Sequence, residues 1–171
     1  MRGGLLVVAR KENSNININS LQLLVNKVVS SDPIPCDTAY LDTMKELRKS
    51  NLLLKEDMTN HRLLINSCHP QVKMRFEYLA EWDLDCLMTG TCRDRPLIHE
   101  IIKRNSKDLS RFTLYFEAAL THHPQHLGLL FQKDKSGQTA CAKAIDEYGK
   151  DEAFNVITQC IPTDTKLPIN S

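Results

Sequence analysis

At 171 residues, with 42% hydrophobic and 25% charged side chains, the chain has the composition of an ordinary soluble globular protein and the length for one domain with a sizeable core. Its 22 Lys+Arg and 21 Asp+Glu are evenly spread, with 11 basic and 11 acidic residues up to Asp85, then 11 and 10. Neither half is basic, so charge gives no case for a nucleic-acid or anionic-membrane partner, and no run approaches the roughly 20 apolar residues of a membrane span.

Residues 1–19 form an uncertain leading segment. Leu5–Val8 has the composition of a short strand or a fragment of helix, and 13–19 (NSNININ) reads as a polar loop. The apolar run Gly4–Ala9 is short for a signal peptide, and Arg10-Lys11 follow it directly. Asn19 or Ser20 is placed to cap a first helix, on which Leu21, Leu24, Val25, Val28 and Val29 share one face. Ser30–Pro35 breaks it, because two prolines cannot both continue a helix. Asp37 or Thr38 is then expected to cap a second helix, Ala39–Lys49, with Leu41, Met44 and Leu47 inward and Ser50-Asn51 at its end. Residues 20–51 thus read as a degenerate helical pair.

Leu52–Leu64 (LLLKEDMTNHRLL) runs parallel to Leu129–Cys141 (LLFQKDKSGQTAC) without a gap, pairing Asp57 with Asp134 and Asn60 with Gly137. Asn and Gly are the residues that best tolerate a left-handed backbone, which gives that pairing a physical reason. After Leu63 the pattern predicts a short helix to Cys68, a turn at His69-Pro70, and a helix closed by Trp82, with Asp83–Gly90 leading away. Pro96-Leu97-Ile98 opens a third copy, with Ile98, Ile101 and Ile102 inward, followed by a loop over 104–111 and a helix Phe112–His122. The step from Leu63 to Pro96 is 33 residues and that from Pro96 to Ala140 is 44, the excess lying in that loop and helix. In the last copy Thr139 is placed to cap a helix bearing Cys141, Ala144, Ile145 and Tyr148 on one face. Gly149 is expected as a left-handed C-cap, and a second helix carries Ala153, Val156, Ile157, Cys160 and Ile161 up to Pro162. Residues 162–171 read as a polar tail, which also suits the end of a longer array.

A turn with Asp and Gly, a short helix opening in a Thr-Pro-Leu-His-like tetrad, a glycine and a longer helix, repeated about every 33 residues, resembles the ankyrin repeat. Asp134, Gly137, Thr139, Ala144, Gly149, Val156 and Ile157 stand at or near the family's signature positions, and Pro96-Leu97 supply part of the tetrad in the middle unit. The last tetrad, Thr139-Ala140-Cys141-Ala142, lacks the histidine that in the family bonds the threonine, and in the middle unit His99 stands one place late. The expectation is an all-α fold of stacked helix-turn-helix hairpins, an ankyrin-like solenoid over 52–161, with a different α-solenoid as the other possibility. The resemblance implies a non-catalytic module, without cofactor or small-molecule substrate, that binds another protein through projecting turns. Those turns carry Lys55, Glu56 and Met58; Arg93 and Arg95; and Gln132, Lys133 and Lys135.

The competing chemistry is a thiol or a metal site. Cys86, Cys92 and His99 give a partial ligand set, Cys92 lies near Arg93 and Arg95, and His122-His123-Pro124-Gln125-His126 is the most metal-like stretch. None completes a recognisable four-ligand spacing, and the six cysteines form no CxxC. Buried free thiols in a reducing compartment, cytoplasmic or nuclear, are the expectation.

Overall fold

The computed structural model describes residues 8–10, 17–28, 33–89, 96–104 and 108–161, and apart from one small β ribbon these are helical and loop. Strand β1 (Val8–Arg10) pairs antiparallel with β2 (Asn17–Asn19), Val8 opposite Asn19. The polar-loop reading of 13–19 is therefore corrected at its end, where Val8–Arg10 supplies partners for backbone groups a loop would leave to water. Helix α1 (Ser20–Asn26) starts at Asn19 with a reciprocal capping box. The Asn19 side chain accepts from the Gln22 amide at 2.8 Å, and the Gln22 side chain accepts from the Asn19 amide at 3.0 Å. Leu21 and Val25 are buried, but Val28 lies beyond the helix and is 38% exposed, so the stripe stops sooner than its spacing suggests.

Helix α2 runs from Pro33 to Lys49, six residues longer than expected. Both prolines fall in its first turn, where a missing N–H has no intrahelical partner to lose. Asp37 is accordingly not a cap but an interior residue, 4% exposed, and its carboxylate receives Arg75. The Arg75 Nε donates to Asp37 Oδ1 at 2.6 Å, while its two terminal nitrogens donate to the Leu24 and Lys27 carbonyls at 2.6 and 2.9 Å. One guanidinium thus joins the end of α1, the body of α2 and α5 (Lys73–Trp82), which carries it.

Between α2 and α5 lie α3 (Lys55–Asn60), α4 (Leu63–Ser67) and a single 3₁₀ turn, Pro70–Val72. The gap-free alignment of 52–64 with 129–141 does not hold locally, since Lys55–Asn60 is helical whereas 134–137 is a tight turn closed by a Lys133–Thr139 bridge. The two aspartates act in opposite senses. Asp57 reaches back to the Leu54 amide at 2.8 Å and starts a helix, whereas Asp134 reaches forward to the Ser136 amide at 2.8 Å and makes a turn. The left-handed residue of the earlier stretch is Arg62, φ 54°, not Asn60. Asp83–Gly90 is also not a plain exit, because Leu84–Thr89 coils into α6 around the buried Leu87.

The remaining elements are α7 (Leu97–Arg104), α8 (Leu109–His122), a kinked 3₁₀ segment (Pro124–Leu129), α9 (Ala140–Tyr148) and α10 (Lys150–Cys160). Thr139 caps α9 by accepting from the Ala142 amide at 3.2 Å. Gly149 ends α9 and begins α10 with φ 94° and ψ 156°, an extended left-side conformation rather than the left-handed helical cap expected, and one essentially confined to glycine. Helices pack in pairs, α4 on α5, α7 on α8 and α9 on α10, and between pairs α1 meets α4, α2 meets α5, α5 meets α8, α7 meets α9 and α8 meets α10. The core centres on α8, where Phe112, Tyr115 and Phe116 are fully buried, Phe112 stacks on Phe116 at 5.8 Å and the Tyr115 hydroxyl donates to the Leu87 carbonyl. Among the described residues no helix is long and apolar enough to cross a membrane.

Candidate functional site: a groove beside a strained turn

The chain leaves α8 through an unusual backbone. Leu127, Gly128 and Leu129 follow one another with φ of 45°, 58° and 66°, all left-handed. For glycine that is free, but for a leucine it costs about 1–2 kcal/mol. Burial offsets the cost at Leu129, which is 4% exposed, but Leu127 remains 45% exposed. Its strain is held by surrounding bonds, the His123 carbonyl accepting from both the His126 and Gly128 amides at 3.1 and 3.3 Å. Strained backbone retained without a packing gain is a mark of a functional segment.

This segment forms one wall of a groove of about 450 Å³ whose other wall is α6 at Met88. Leu127, Leu129 and Phe131 line it with apolar surface, Phe131 being 61% exposed, and Gln125, His126 and Gln132 add polar edges. Gln132 is the residue that ties the site together. Its Nε2 donates across to the Met88 carbonyl at 2.8 Å, and its own carbonyl accepts from the Ala140 amide at 3.1 Å and from His99 Nε2 at 2.8 Å. A carbonyl only accepts, so His99 carries its proton on Nε2. The Gln132 Oε1 is buried with no hydrogen-bond partner among the described residues.

Behind the groove, His99 is 1% exposed and its Nδ1 lies 3.8 Å from Asp134 Oδ2, with Lys143 Nζ 3.9 Å from the same oxygen. The other Asp134 oxygen accepts from the Ser136 amide and hydroxyl and from the Gln138 amide, bonds to Ser136 that hold this carboxyl below the ordinary range. Burial pushes His99 below the usual 6.5, and Lys143 works in the same direction, although the Gln132 carbonyl and Asp134 pull the other way. Burial, then Arg111, lowers His69 likewise. For both imidazoles the unfolded chain binds the proton more tightly. Their contribution to stability is therefore complete above about pH 6.5 and is lost as the pH falls through the folded values. The thermal midpoint is expected to drop on acidification through this window, and His99→Gln, whose amide can still donate to Gln132, is expected to flatten part of the slope; an unchanged slope would show that His99 is not responsible.

The projecting-turn residues divide between separate places. Lys133 and Lys135 are exposed on the 133–139 turn, and Gln132 is half-buried at its base. Lys55 and Glu56 are exposed on α3, where Lys55 Nζ lies 3.2 Å from Asp83 Oδ1, so Asp83 raises the lysine's pKa. Met58 is corrected outright: α3 turns it inward, and at 2% exposure it belongs to the core. Arg93, Arg95 and Cys92 lie outside the described residues. Cys86 donates its Sγ–H to Asp83 Oδ2 at 3.1 Å, and burial with that bond pushes its thiol up to about 12, the reverse of what nucleophilic chemistry needs. His99 bonds the Gln132 carbonyl, and in the His122–His126 stretch His123 is buried at the end of α8. Among the described residues no three His, Cys, Asp or Glu side chains gather as a ligand set.

The exposed apolar pair Leu127 and Phe131 was not legible as a site, because LGLLF reads as core in a sequence of helical repeats. Gly128 is the one local signal, a residue able to adopt φ > 0 between two leucines. Compared with known proteins, the chain matches no family model, no curated protein and no solved structure.

Proposed function

We propose that the chain is a non-catalytic protein–protein interaction module built as a divergent ankyrin-like array, with three helix pairs over 52–161 and a degenerate fourth over 20–51. The pairwise contacts support this reading, because α7–α9 and α8–α10 are the contacts two adjacent hairpins make when one repeats the other. Units of this kind each leave an apolar face for a neighbour, and the rest of their surface is free for a partner. The cysteines described, Cys68, Cys86, Cys141 and Cys160, are free thiols, which favours a reducing compartment, cytoplasmic or nuclear.

The observation that carries the function is the strained 127–129 segment presenting Leu127 and Phe131 beside an open apolar groove. Exposed aromatic and aliphatic side chains rimmed by polar ones mark interaction surfaces more than catalytic ones. A photo-crosslinking residue placed at Lys133 in cells is expected to form adducts with a discrete protein. Adducts should disappear with Phe131→Ser and Leu127→Ser together, while the far-ultraviolet spectrum stays unchanged. Adducts indifferent to those substitutions, or none at all, would overturn the reading.

A further inference from the structure

We propose that His99 is a proton-operated latch: when its imidazole takes up a proton, the 132–139 turn comes away from α7 and the groove wall bearing Phe131 opens. Both ring nitrogens face that turn. Nε2 donates to the Gln132 carbonyl at 2.8 Å, and Nδ1 stands 3.8 Å from Asp134 Oδ2, beyond hydrogen-bond reach and with no hydrogen-bond partner among the described residues. The ring is 1% exposed, so water does not solvate a charge placed on it. A proton arriving on Nδ1 creates a buried cation whose new N–H has no acceptor in reach, and an arrangement that hydrates the ring gains at the expense of the closed one.

The turn is the part that gives way. None of residues 131–139 is fully buried, so no apolar side chain pins the segment to the core. Polar bonds hold it: the Ala140 amide to the Gln132 carbonyl at 3.1 Å, the Cys141 amide to the Leu130 carbonyl at 2.9 Å, and Gln132 Nε2 to the Met88 carbonyl at 2.8 Å. The last is a strut from the turn to α6, so the groove loses its shape when the turn leaves.

Burial, the largest influence, and Lys143 of α9 resist the proton, while the Gln132 carbonyl and Asp134 favour it; the balance holds His99 below 6.5. Asp134 stays ionised in this range, because its bonds to Ser136 keep its carboxyl low. Of the other titratable groups around α7, Cys86 of α6 is engaged with Asp83, Tyr115 of α8 with the Leu87 carbonyl, Tyr148 of α9 with the Ile102 carbonyl, and Glu100 of α7 itself with Arg62. With the turn open the ring is hydrated and returns toward 6.5. Closure is therefore complete above that pH and weakens as the pH falls toward the folded value. Opening of the turn is a property of the chain itself and stands whether or not a partner uses this face; where the module reading holds, acid removes part of the partner's seat.

The test is hydrogen exchange of the intact protein, followed by NMR at single amides from about pH 7.5 to about pH 5 and corrected for intrinsic rates. Protection at Ala140 and Cys141, whose acceptors lie across the turn, is expected to fall by up to about tenfold per pH unit below 6.5. Amides of α8 around Phe116 should stay protected. His99→Gln keeps a donor for the Gln132 carbonyl and should make the turn's protection independent of pH, whereas His69→Gln should leave the dependence intact. The imidazole titration of the unaltered protein should place His99 below 6.5, a measurement that needs no variant to fold. Protection that stays constant or rises in acid, a dependence that survives His99→Gln or vanishes in His69→Gln, α8 opening in step with the turn, or a His99 ring titrating at 6.5 or above would each overturn the latch.

Discussion

Gly128→Ala is expected to destabilise the protein by about 2–5 kcal/mol, a fall of roughly 5–15 °C in thermal midpoint for a chain of this size. Two costs combine. At φ 58° any side chain incurs the left-handed penalty, and here a Cβ would stand 2.6 and 2.9 Å from two atoms of the Phe116 ring. That ring cannot swing aside cheaply, since Phe116 is fully buried and stacked on Phe112. Gly137→Ala is the control: φ is 83°, but nothing lies within 4 Å of the added carbon, so only the backbone cost of about 1 kcal/mol applies. Equal effects of the two substitutions in urea denaturation would show that the Phe116 contact is not limiting. Because Gly128 sits between Leu127 and Leu129, its substitution should also spoil the groove before the protein unfolds.

What could be read from the chain follows what is local. Asn19 and Thr139 cap because a short polar side chain before an apolar stripe can reach the free amides of the next turn. The inward faces of α7, α8 and α10 follow from spacing alone: Ile98, Ile101 and Ile102, then Phe112, Tyr115 and Phe116, then Ala153, Val156 and Ile157 are all buried. The unread features depend on distant partners. Asp37 looks like a cap in any local window, and only Arg75, 38 residues later, makes it an interior anion. The Lys55–Asn60 helix and the 134–137 turn share an aspartate and an apolar lead, but the direction in which that aspartate reaches decides helix or turn. Leu127 and Phe131 are apolar residues outside the core, and hydrophobic periodicity assigns every such residue inward. The groove was invisible for that reason, whereas the neighbouring 133–139 turn was legible from Asp134 and Gly137.

Arg75→Met is expected to cost about 3–5 kcal/mol, the range for stripping one partner from a buried ion pair. Met matches much of the arginine's volume, so the loss isolates the guanidinium. Its removal leaves the Asp37 carboxylate with the Met74 amide at 3.0 Å as its remaining hydrogen bond here, and leaves the Leu24 and Lys27 carbonyls without their donors. It also takes the cation from the Tyr40 ring, 4.8 Å away. Asp37→Asn should cost less, because Arg75 keeps both carbonyl acceptors and the amide oxygen can still receive its Nε. Combining Arg75→Met with Asp37→Leu removes the stranded charge and should recover part of the loss. It should not recover all of it, since the two α1 carbonyls and the Met74 amide remain unsatisfied. The spatial pattern is as diagnostic as the size. Besides its contacts with α4 and α2 and the bond from Gln22 Nε2 to the His61 carbonyl, α1 is held at its C-terminal end by this guanidinium, so hydrogen exchange in Arg75→Met should accelerate first over 20–28 while α9 and α10 keep their protection. Uniform acceleration along the chain, or a loss under about 1 kcal/mol, would refute the clamp.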